Sequence, residues 1–388
     1  MRNRIFITLA VSLIASSALA LTLAPNQVII HVSGGLTGKA INTPTVSVTV
    51  CVPGTMRCQT VDNILLDTGS TGLRIYKSAH VGLNLPYVTS PAGKKIYESY
   101  YFAGGEADWG SVRVADVRMG GELAKNVPIQ FNVRARSASS TSTRLSGEVN
   151  FNGIFGIGPT SAENEAGNFA ECAGSKCAHI DRQNIPLLHR LGVYNPIDQF
   201  LVNNTGFSIE FPNVPAPAKS INGILTFGVN TTSNNRLAPS APHFPAYGGN
   251  EICFIYYERF VPSVAIDTGT PRYMFPVNRD IRHCATSMGT DCGLEKIKFV
   301  LPSEPTLKHE SVYLSFDDTD APQYLVNPYR ATAELKDQEP ILGLPFFFGK
   351  RIVFEYSHNP QNGITGYISI SRSNPADFQE LDFTKIVR

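Results

Sequence analysis

Short runs of apolar and β-branched residues recur along the whole chain, separated by Gly, Pro, Asn and Ser. They include NQVIIHVS, TVSVTVCV, SVRVADVRM, GFSIEF, GILTFGV, FVPSVAID, VYLSF and RIVFEY. Such runs, bounded by turn-forming residues, are typical of β-strands. Helical periodicity is confined to IPLLHRLG (185–192) and a weaker segment at 277–284. The pattern therefore predicts an all-β protein with few helices.

Two segments interrupt this pattern. Residues 136–147 read RSASSTSTRLSG, which predicts a polar loop between strands. Residues 161–182 contain few large apolar side chains, so we expect a surface insertion there.

The first twenty residues, MRNRIFITLAVSLIASSALA, differ from the rest. Arg2 and Arg4 precede an apolar stretch at 5–17, and Ala-Leu-Ala follows at 18–20, which is the pattern of a cleaved secretory signal. The stretch is too short to span a bilayer comfortably, and no later stretch qualifies. The sequence therefore predicts export to the periplasm or the medium, with no membrane anchor after cleavage.

Composition and charge narrow the class of protein. The chain has 388 residues, 43% hydrophobic and 17% charged, a globular profile long enough for two domains or one large bilobed unit. Loss of Arg2 and Arg4 with the signal reduces the 33 basic residues to 31, against 32 acidic residues. A near-neutral chain gives no electrostatic reason to expect nucleic acid or an anionic membrane as a partner.

The seven cysteines are consistent with an exported protein. Three pairs lie close in sequence, and we predict them as disulfides while other connectivities stay open: Cys51 with Cys58, Cys172 with Cys177, and Cys284 with Cys292. Cys253 is then left as a buried thiol in an apolar run. A zinc site is the alternative, but it needs paired C-x-x-C or Cys/His spacing that is missing here, so we predict no metal.

An internal repeat is the most informative feature. The first half contains NILLDTGSTGLRIY (63–76) followed by GIFGIG (153–158), and the second half contains SVAIDTGTPRYMFP (263–276) followed by ILGLP (341–345). A single D-T-G also fits a strand that runs into a surface turn, with the Asp capping the turn. Two copies, each with an apolar lead-in and an apolar-apolar-Gly follow-up, indicate a duplicated structural plan.

These motifs resemble those of the pepsin-like aspartic peptidases, and the resemblance covers nearly the whole chain after the signal. FSIEF (207–211), GILTFG (223–228) and ILGLPFFFGKRIVFEYSHNPQNGITGY (341–367) match further elements of that family. The resemblance implies a bilobed all-β fold with a pseudo-twofold axis and a cleft between the lobes. We therefore expect a signal peptide at 1–20, an N-terminal lobe with the flap at 21–206, and a C-terminal lobe at 207–388.

The resemblance implies that Asp67 and Asp267 are the paired catalytic aspartates. Two adjacent carboxyl groups share one proton and activate a water molecule without metal or cofactor. The implied supporting residues are two bracing threonines, two glycines that let the backbone approach the carboxylates, and two hydroxyls that bind the outer carboxylate oxygens: Thr68, Thr268, Gly69, Gly269, Ser70 and Thr270.

The sequence departs from the family around the flap, the hairpin that covers the cleft. The best register places Phe102 where the family has Tyr, with Tyr101 before it and Gly105 within the motif. Arg74 stands where the family has Trp. Arg74 either projects toward the cleft, where it favours acidic groups of the substrate, or is solvated or ion-paired.

These features predict an exported, monomeric aspartic endopeptidase that binds an extended peptide or protein substrate. The short stretch between residue 20 and Asp67 leaves little room for the family's inhibitory propeptide. Two alternatives remain: a catalytically weak or inactive relative that binds peptide or glycan in the cleft, favoured by the flap departures, and a structural surface β-protein. No G-x-S-x-G, H-E-x-x-H or phosphate-loop motif points to other hydrolase chemistry.

Overall fold

The computed structural model describes thirteen segments of the chain: 23–102, 106–137, 150–158, 167–180, 193–237, 243–247, 251–256, 259–276, 295–300, 310–314, 324–335, 340–361 and 364–373. The predicted signal peptide, both predicted helices, Gly105, Cys284 and Cys292 lie outside these residues, as does most of the predicted polar loop. Within the described segments the regular structure is strand, with short 3₁₀ turns and no α-helix, so the all-β prediction is confirmed.

Ten strands are described in the first half of the chain: β1 (Gln27–Gly34), β2 (Ala40–Cys51), β3 (Cys58–Asp67), β4 (Thr71–Tyr76), β5 (Lys95–Tyr101), β6 (Glu106–Met119), β7 (Glu122–Ser137), β8 (Gly153–Ile157), β9 (Gly167–Ala173) and β10 (Lys176–Ile180). Each of the apolar runs predicted as strands in this half coincides with one of them. Short 3₁₀ turns lie at Gly35–Thr37 and Lys77–Ala79.

Twelve strands are described in the second half: β11 (Gly206–Glu210), β12 (Ile221–Phe227), β13 (His243–Tyr247), β14 (Glu251–Tyr256), β15 (Arg259–Ile266), β16 (Tyr273–Pro276), β17 (Glu295–Val300), β18 (Glu310–Leu314), β19 (Ala331–Leu335), β20 (Ile341–Leu342), β21 (Lys350–Gln361) and β22 (Ile364–Arg372). Among the described strands, the pairing of β1 with β12 joins the two halves.

The two halves repeat one strand arrangement around the D-T-G motifs. In the first half, β3 runs parallel to β8, β8 is antiparallel to β4, and β4 is parallel to β7. In the second half, β15 runs parallel to β20, β20 is antiparallel to β16, and β16 is parallel to β19. The sequence repeat is therefore a repeat of topology, and the apolar-apolar-Gly segments are the strands β8 and β20.

Glycine permits the close approach of strands in both copies. A methyl group on Gly156 would lie 2.8 Å from the Ser70 hydroxyl oxygen, and one on Gly343 would lie 2.0 Å from the Arg272 carbonyl oxygen. Any larger residue would push these strands away from the D-T-G loops, which explains the Gly that follows each pair of apolar residues.

One large apolar core extends through both halves and holds the strands that carry the motifs. Its fully buried members include Leu66 and Phe155 in the first half and Ile266 and Leu342 in the second. Burial of such side chains is the main favourable contribution to folding. The core therefore holds the motif strands β3 and β15 in place. Asp67 is the last residue of β3, and Asp267 directly follows β15.

The predicted insertion at 161–182 contains a hairpin. β10 is exposed, as expected for a surface segment, but β9 pairs along β5 from Cys172 to Gly167 and buries Phe169. Disulfides join Cys172 with Cys177 across this hairpin and Cys51 with Cys58 between β2 and β3. Two of the three predicted disulfides are therefore present in the described residues.

Candidate active site

Asp67 and Asp267 stand at equivalent places in the repeat. Asp67 ends β3 and lies opposite Gly156 of β8, and Asp267 follows β15 and donates its backbone N–H to the Leu342 carbonyl at 3.0 Å. Asp67 is only 6% exposed. A buried carboxylate is costly unless hydrogen bonds compensate for lost hydration, so the partners of each carboxyl group are decisive.

Each carboxyl group receives the same pair of hydrogen bonds from its own loop. The Gly69 N–H donates to Asp67 Oδ1 at 2.8 Å, and the Ser70 hydroxyl donates to Oδ2 at 2.5 Å. In the second loop, the Gly269 N–H donates to Asp267 Oδ1 at 2.8 Å and the Thr270 hydroxyl donates to Oδ2 at 2.6 Å. These bonds orient both carboxyl groups and satisfy part of their acceptor capacity.

The two loops are bonded to each other through their threonines. The Thr68 hydroxyl accepts from the Thr268 N–H at 3.0 Å and donates to the Ile266 carbonyl at 2.8 Å. The Thr268 hydroxyl accepts from the Thr68 N–H at 3.1 Å and donates to the Leu66 carbonyl at 2.7 Å. Both threonines are fully buried. This crossed set of four bonds obeys a twofold relation and fixes one loop against the other.

The glycines of the motif face the opposite carboxyl group. A methyl group on Gly69 would lie 2.6 Å from Asp267 Oδ1, and one on Gly269 would lie 2.5 Å from Asp67 Oδ1. Only a residue without a side chain fits at such distances. Each loop therefore lies directly against the carboxyl group of the other, which brings the two acids into one small site.

Burial raises the pKa of Asp267 from its ordinary 3.8 to about 8. The charge of Asp67 and a hydrogen bond with its side chain act in the same direction, because a second negative charge beside Asp67 is unfavourable. The Thr270 hydroxyl and the Gly269 N–H oppose the shift by stabilising the ionised form. The two carboxyl groups together therefore retain a proton to a higher pH than an isolated aspartate does.

A family model described as "Protein of unknown function (DUF3443)" matches residues 22–369, which is most of the chain. The chain belongs to the DUF3443 family. The family description assigns no activity, so it adds no chemistry to the geometry of the two loops. No curated protein sequence matches this DUF3443 chain.

A solved structure, the aspartic proteinase from Irpex lacteus, has the same fold. It matches with a TM-score of 0.50 and 15% sequence identity, over 90% of this chain and 97% of the proteinase chain. At this identity the likeness shows the fold alone. The DUF3443 chain therefore has the pepsin-like aspartic proteinase fold, as the two D-T-G motifs predicted.

The structure brings all eight predicted residues of the two loops into one site. Of the predicted flap residues, Phe102 follows β5, is partly buried, and packs edge-on against the Tyr100 ring with 4.7 Å between ring centroids. Tyr101 is 48% exposed and lies on the opposite face of β5 from Tyr100. The roles of Phe102, Tyr101 and Gly105 in substrate binding stay predictions.

The burial of Arg74 contradicts two of its three sequence-based alternatives, the cleft-facing and the solvated side chain. Its side chain is fully buried, so it is not solvated, and it does not reach open solvent as a direct substrate contact requires. Its Nη1 donates to the Thr71 and Gly72 carbonyls, at 3.0 and 3.2 Å, and its guanidinium carbon lies 3.8 Å from the centroid of the Tyr100 ring. The expectation of a cleft-facing or solvated Arg74 is therefore wrong, and an ion-paired Arg74 stays a prediction.

Two residues near the site were missed by the sequence analysis. Tyr100 is buried on one face of β5 together with Ile96 and Glu98, but IYESYY has no apolar/polar alternation that would mark that face in the sequence. Asn195 is fully buried and donates to the Gly158 carbonyl at 3.1 Å and the Tyr356 hydroxyl at 2.8 Å. It ties the segment after β8 to β21 of the other half, and no local pattern marks it.

Proposed function

We propose that this DUF3443 protein is an exported aspartic endopeptidase in which Asp67 and Asp267 activate a water molecule. The observation that carries the proposal is the duplicated pair of loops. Each presents a hydrogen-bonded carboxyl group, and the crossed threonine bonds hold the two loops together. Export is supported by the signal-like sequence at 1–20 and by the two disulfides.

The raised pKa of Asp267 supports one division of roles in the proposed reaction. Asp67 takes a proton from a water between the two carboxyl groups, while protonated Asp267 donates a hydrogen bond to the scissile carbonyl oxygen. The water oxygen adds to the carbonyl carbon. The amine then leaves with a proton returned from the pair. No covalent intermediate with the protein is formed.

The substrate class follows from the resemblance to the pepsin-like family. An extended peptide with apolar residues beside the scissile bond lies between the two halves, under the hairpin of β5 and β6. Cleavage is favoured in mild acid and falls as the pH rises through about 8, where Asp267 loses its proton. We expect the protein to act as a monomer without metal or cofactor.

A peptide library at several pH values, with and without pepstatin, tests the proposal. Asp67→Asn and Asp267→Asn should each abolish cleavage while leaving the fold intact. Asp62→Asn is the matched control, because Asp62 lies on the same strand as Asp67 but is exposed and bonded to Ser47. Cleavage that persists in both variants, Asp67→Asn and Asp267→Asn, and that pepstatin does not inhibit would contradict the proposed mechanism.

The same experiment distinguishes a binding protein from an enzyme. Stoichiometric binding of pepstatin, with no turnover of any library peptide by the wild type, would show that the site is formed but does not catalyse. The protein would then be a peptide-binding relative of the peptidases.

A further inference from the structure

Arg74 carries a positive charge into a fully buried position beneath the hairpin of β5 and β6. A buried cation is strongly unfavourable unless nearby groups replace its hydration. Here the Thr71 and Gly72 carbonyls accept from Nη1, and the Tyr100 ring lies under the guanidinium. Glu98, also fully buried, lies on the same face of β5 as Tyr100.

The contact with Tyr100 has the geometry of a cation–π interaction. The guanidinium carbon is 3.8 Å from the Tyr100 centroid, well within the roughly 6 Å range at which the ring's negative face attracts a cation. The guanidinium carbon also lies 5.9 Å from the centroid of the Phe102 ring, and the Tyr100 and Phe102 rings pack edge to face. Because the site is desolvated, such an interaction is stronger here than on the surface.

The other side of Arg74 contacts the loop that carries Asp67. The Ser70 hydroxyl donates to Asp67 Oδ2, Thr71 is the next residue in the chain, and its carbonyl accepts from Arg74. One guanidinium therefore contacts both the end of the catalytic loop and an aromatic side chain of β5.

The second half provides an internal comparison. Arg74 lies opposite Ile154 of β8 and beside Gln130 of β7, and Met274 lies at the same register, opposite Ile341 and beside Thr332. The shared strand arrangement therefore accepts an uncharged side chain at this position. Only the first half buries a guanidinium at this position, and this burial costs free energy. We therefore expect Arg74 to have a role that is specific to the first half.

We propose that Arg74 is a positioning residue that fixes strand β5 of the hairpin onto the loop carrying Asp67, through its carbonyl hydrogen bonds and its stacking on Tyr100. Its effect on substrate binding rests on the proposed peptidase function, whereas the link between β5 and the loop does not. Lysine cannot replace it, because an ammonium group lacks the planar fork that stacks on a ring while donating to two carbonyls.

Hydrogen exchange of the β5 amides tests this link without any substrate. Arg74→Lys keeps a positive charge at this position, so a change in amide exchange cannot come from loss of the charge. We expect β5 amides to exchange about 5- to 30-fold faster in Arg74→Lys, with β21 unchanged. Tyr100→Leu should act in the same way, because it removes the ring on which the guanidinium stacks.

Arg113→Lys is the matched control. Arg113 is also buried in this lobe, stacks on Tyr87 with its guanidinium carbon 3.2 Å from the ring centroid, and donates to the Leu85 carbonyl. It lies on β6, beyond the part of that strand that pairs with β5. Its replacement should speed exchange near Leu85 and Tyr87 and at the start of β5, where the Ile96 N–H donates to the Val88 carbonyl, and should leave the β5 amides near Tyr100 unchanged.

The kinetic measurement separates positioning from general stability. Arg74→Lys should raise KM about 5- to 30-fold with kcat within about twofold, because binding is lost equally in the ground and transition states. Arg113→Lys should leave both constants unchanged. The effects of Arg74→Lys and Tyr100→Leu should not add in the double variant, since both remove one contact.

The proposal would be overturned if the β5 amides of Arg74→Lys exchanged at the wild-type rate. Additive effects in the double variant would also contradict it, as would equal effects of Arg74→Lys and Arg113→Lys on KM. If the wild type cleaves no peptide, the proposed function fails, and the exchange data alone then decide whether Arg74 links β5 to the loop.

Discussion

The Asp267→Asn substitution removes a carboxyl group whose pKa in the folded chain lies far above that of an ordinary aspartate. The folded pKa is about 8 and the ordinary value is 3.8. For a carboxyl group with a raised folded pKa, the stabilising contribution is fully present below about pH 4. It is lost progressively as the pH rises from about 4 to about 8, because in this interval the unfolded chain has released a proton that the folded chain retains.

The expected magnitude follows from this interval. Between about pH 5 and pH 7 the folded protein holds close to one more proton on Asp267 than the unfolded protein does. The free energy of unfolding should therefore fall by about 1.4 kcal/mol per pH unit from this group, or by about 3 kcal/mol over the two units. An asparagine side chain does not titrate in this range, so this part of the pH dependence should be missing from the Asp267→Asn variant.

Urea unfolding at about pH 5, 6 and 7 and constant ionic strength measures this difference. The relevant quantity is the difference between wild type and Asp267→Asn, which should change by about 3 kcal/mol across the series. Asp62→Asn should follow the wild type, because Asp62 is exposed. Pepstatin is left out, since a ligand of the folded state adds its own pH dependence. Parallel curves for wild type and Asp267→Asn would refute the assignment of the proton to Asp267.

The crossed threonines and the glycines give two further predictions. Thr268→Val leaves the Thr68 N–H and the Leu66 carbonyl buried without the hydroxyl, and should lower the free energy of unfolding by about 2–4 kcal/mol in urea. The exposed Thr60→Val should cost under about 1 kcal/mol, and equal costs would contradict the bracing role. Gly269→Ala places a methyl group 2.5 Å from Asp67 Oδ1 and should reduce pepstatin affinity and cleavage about 100-fold, whereas Gly82→Ala, with open space around it, should change neither.

The two loops were predictable from sequence because a duplicated motif carries long-range information. An apolar strand that ends in D-T-G followed by Ser or Thr specifies an aspartate at a strand end, a close backbone approach and a hydroxyl within reach of the carboxyl group. The second copy, related by the pseudo-twofold axis, then places Asp267 against Asp67. The Gly of each apolar-apolar-Gly segment completes the plan, since Gly156 and Gly343 contact the loops themselves.

Features present in one half only were not predictable in this way. The low apolar content of the segment that forms β9 and β10 predicts a surface insertion. In the structure, however, β9 is part of the sheet because it pairs with β5. Asn195 gives no local signal, since its role depends on Tyr356 of the other half. Both depend on contacts between segments distant in sequence, and a local pattern does not encode such contacts.

Arg74 shows how a break in the repeat is itself informative. Where both halves carry equivalent residues, as at the two aspartates and the two threonines, the residues serve the shared arrangement of strands and loops. Where they differ, as between Arg74 and Met274 at the same register, the cause must lie in an element that contacts only one of them. For Arg74 one such element is β5, which brings Tyr100 to the guanidinium and, with the Thr71 and Gly72 carbonyls, helps to stabilise the buried charge. Replacement of either Arg74 or Tyr100 should therefore disturb the same contact between β5 and the loop, and this effect should not depend on Asp67 or Asp267.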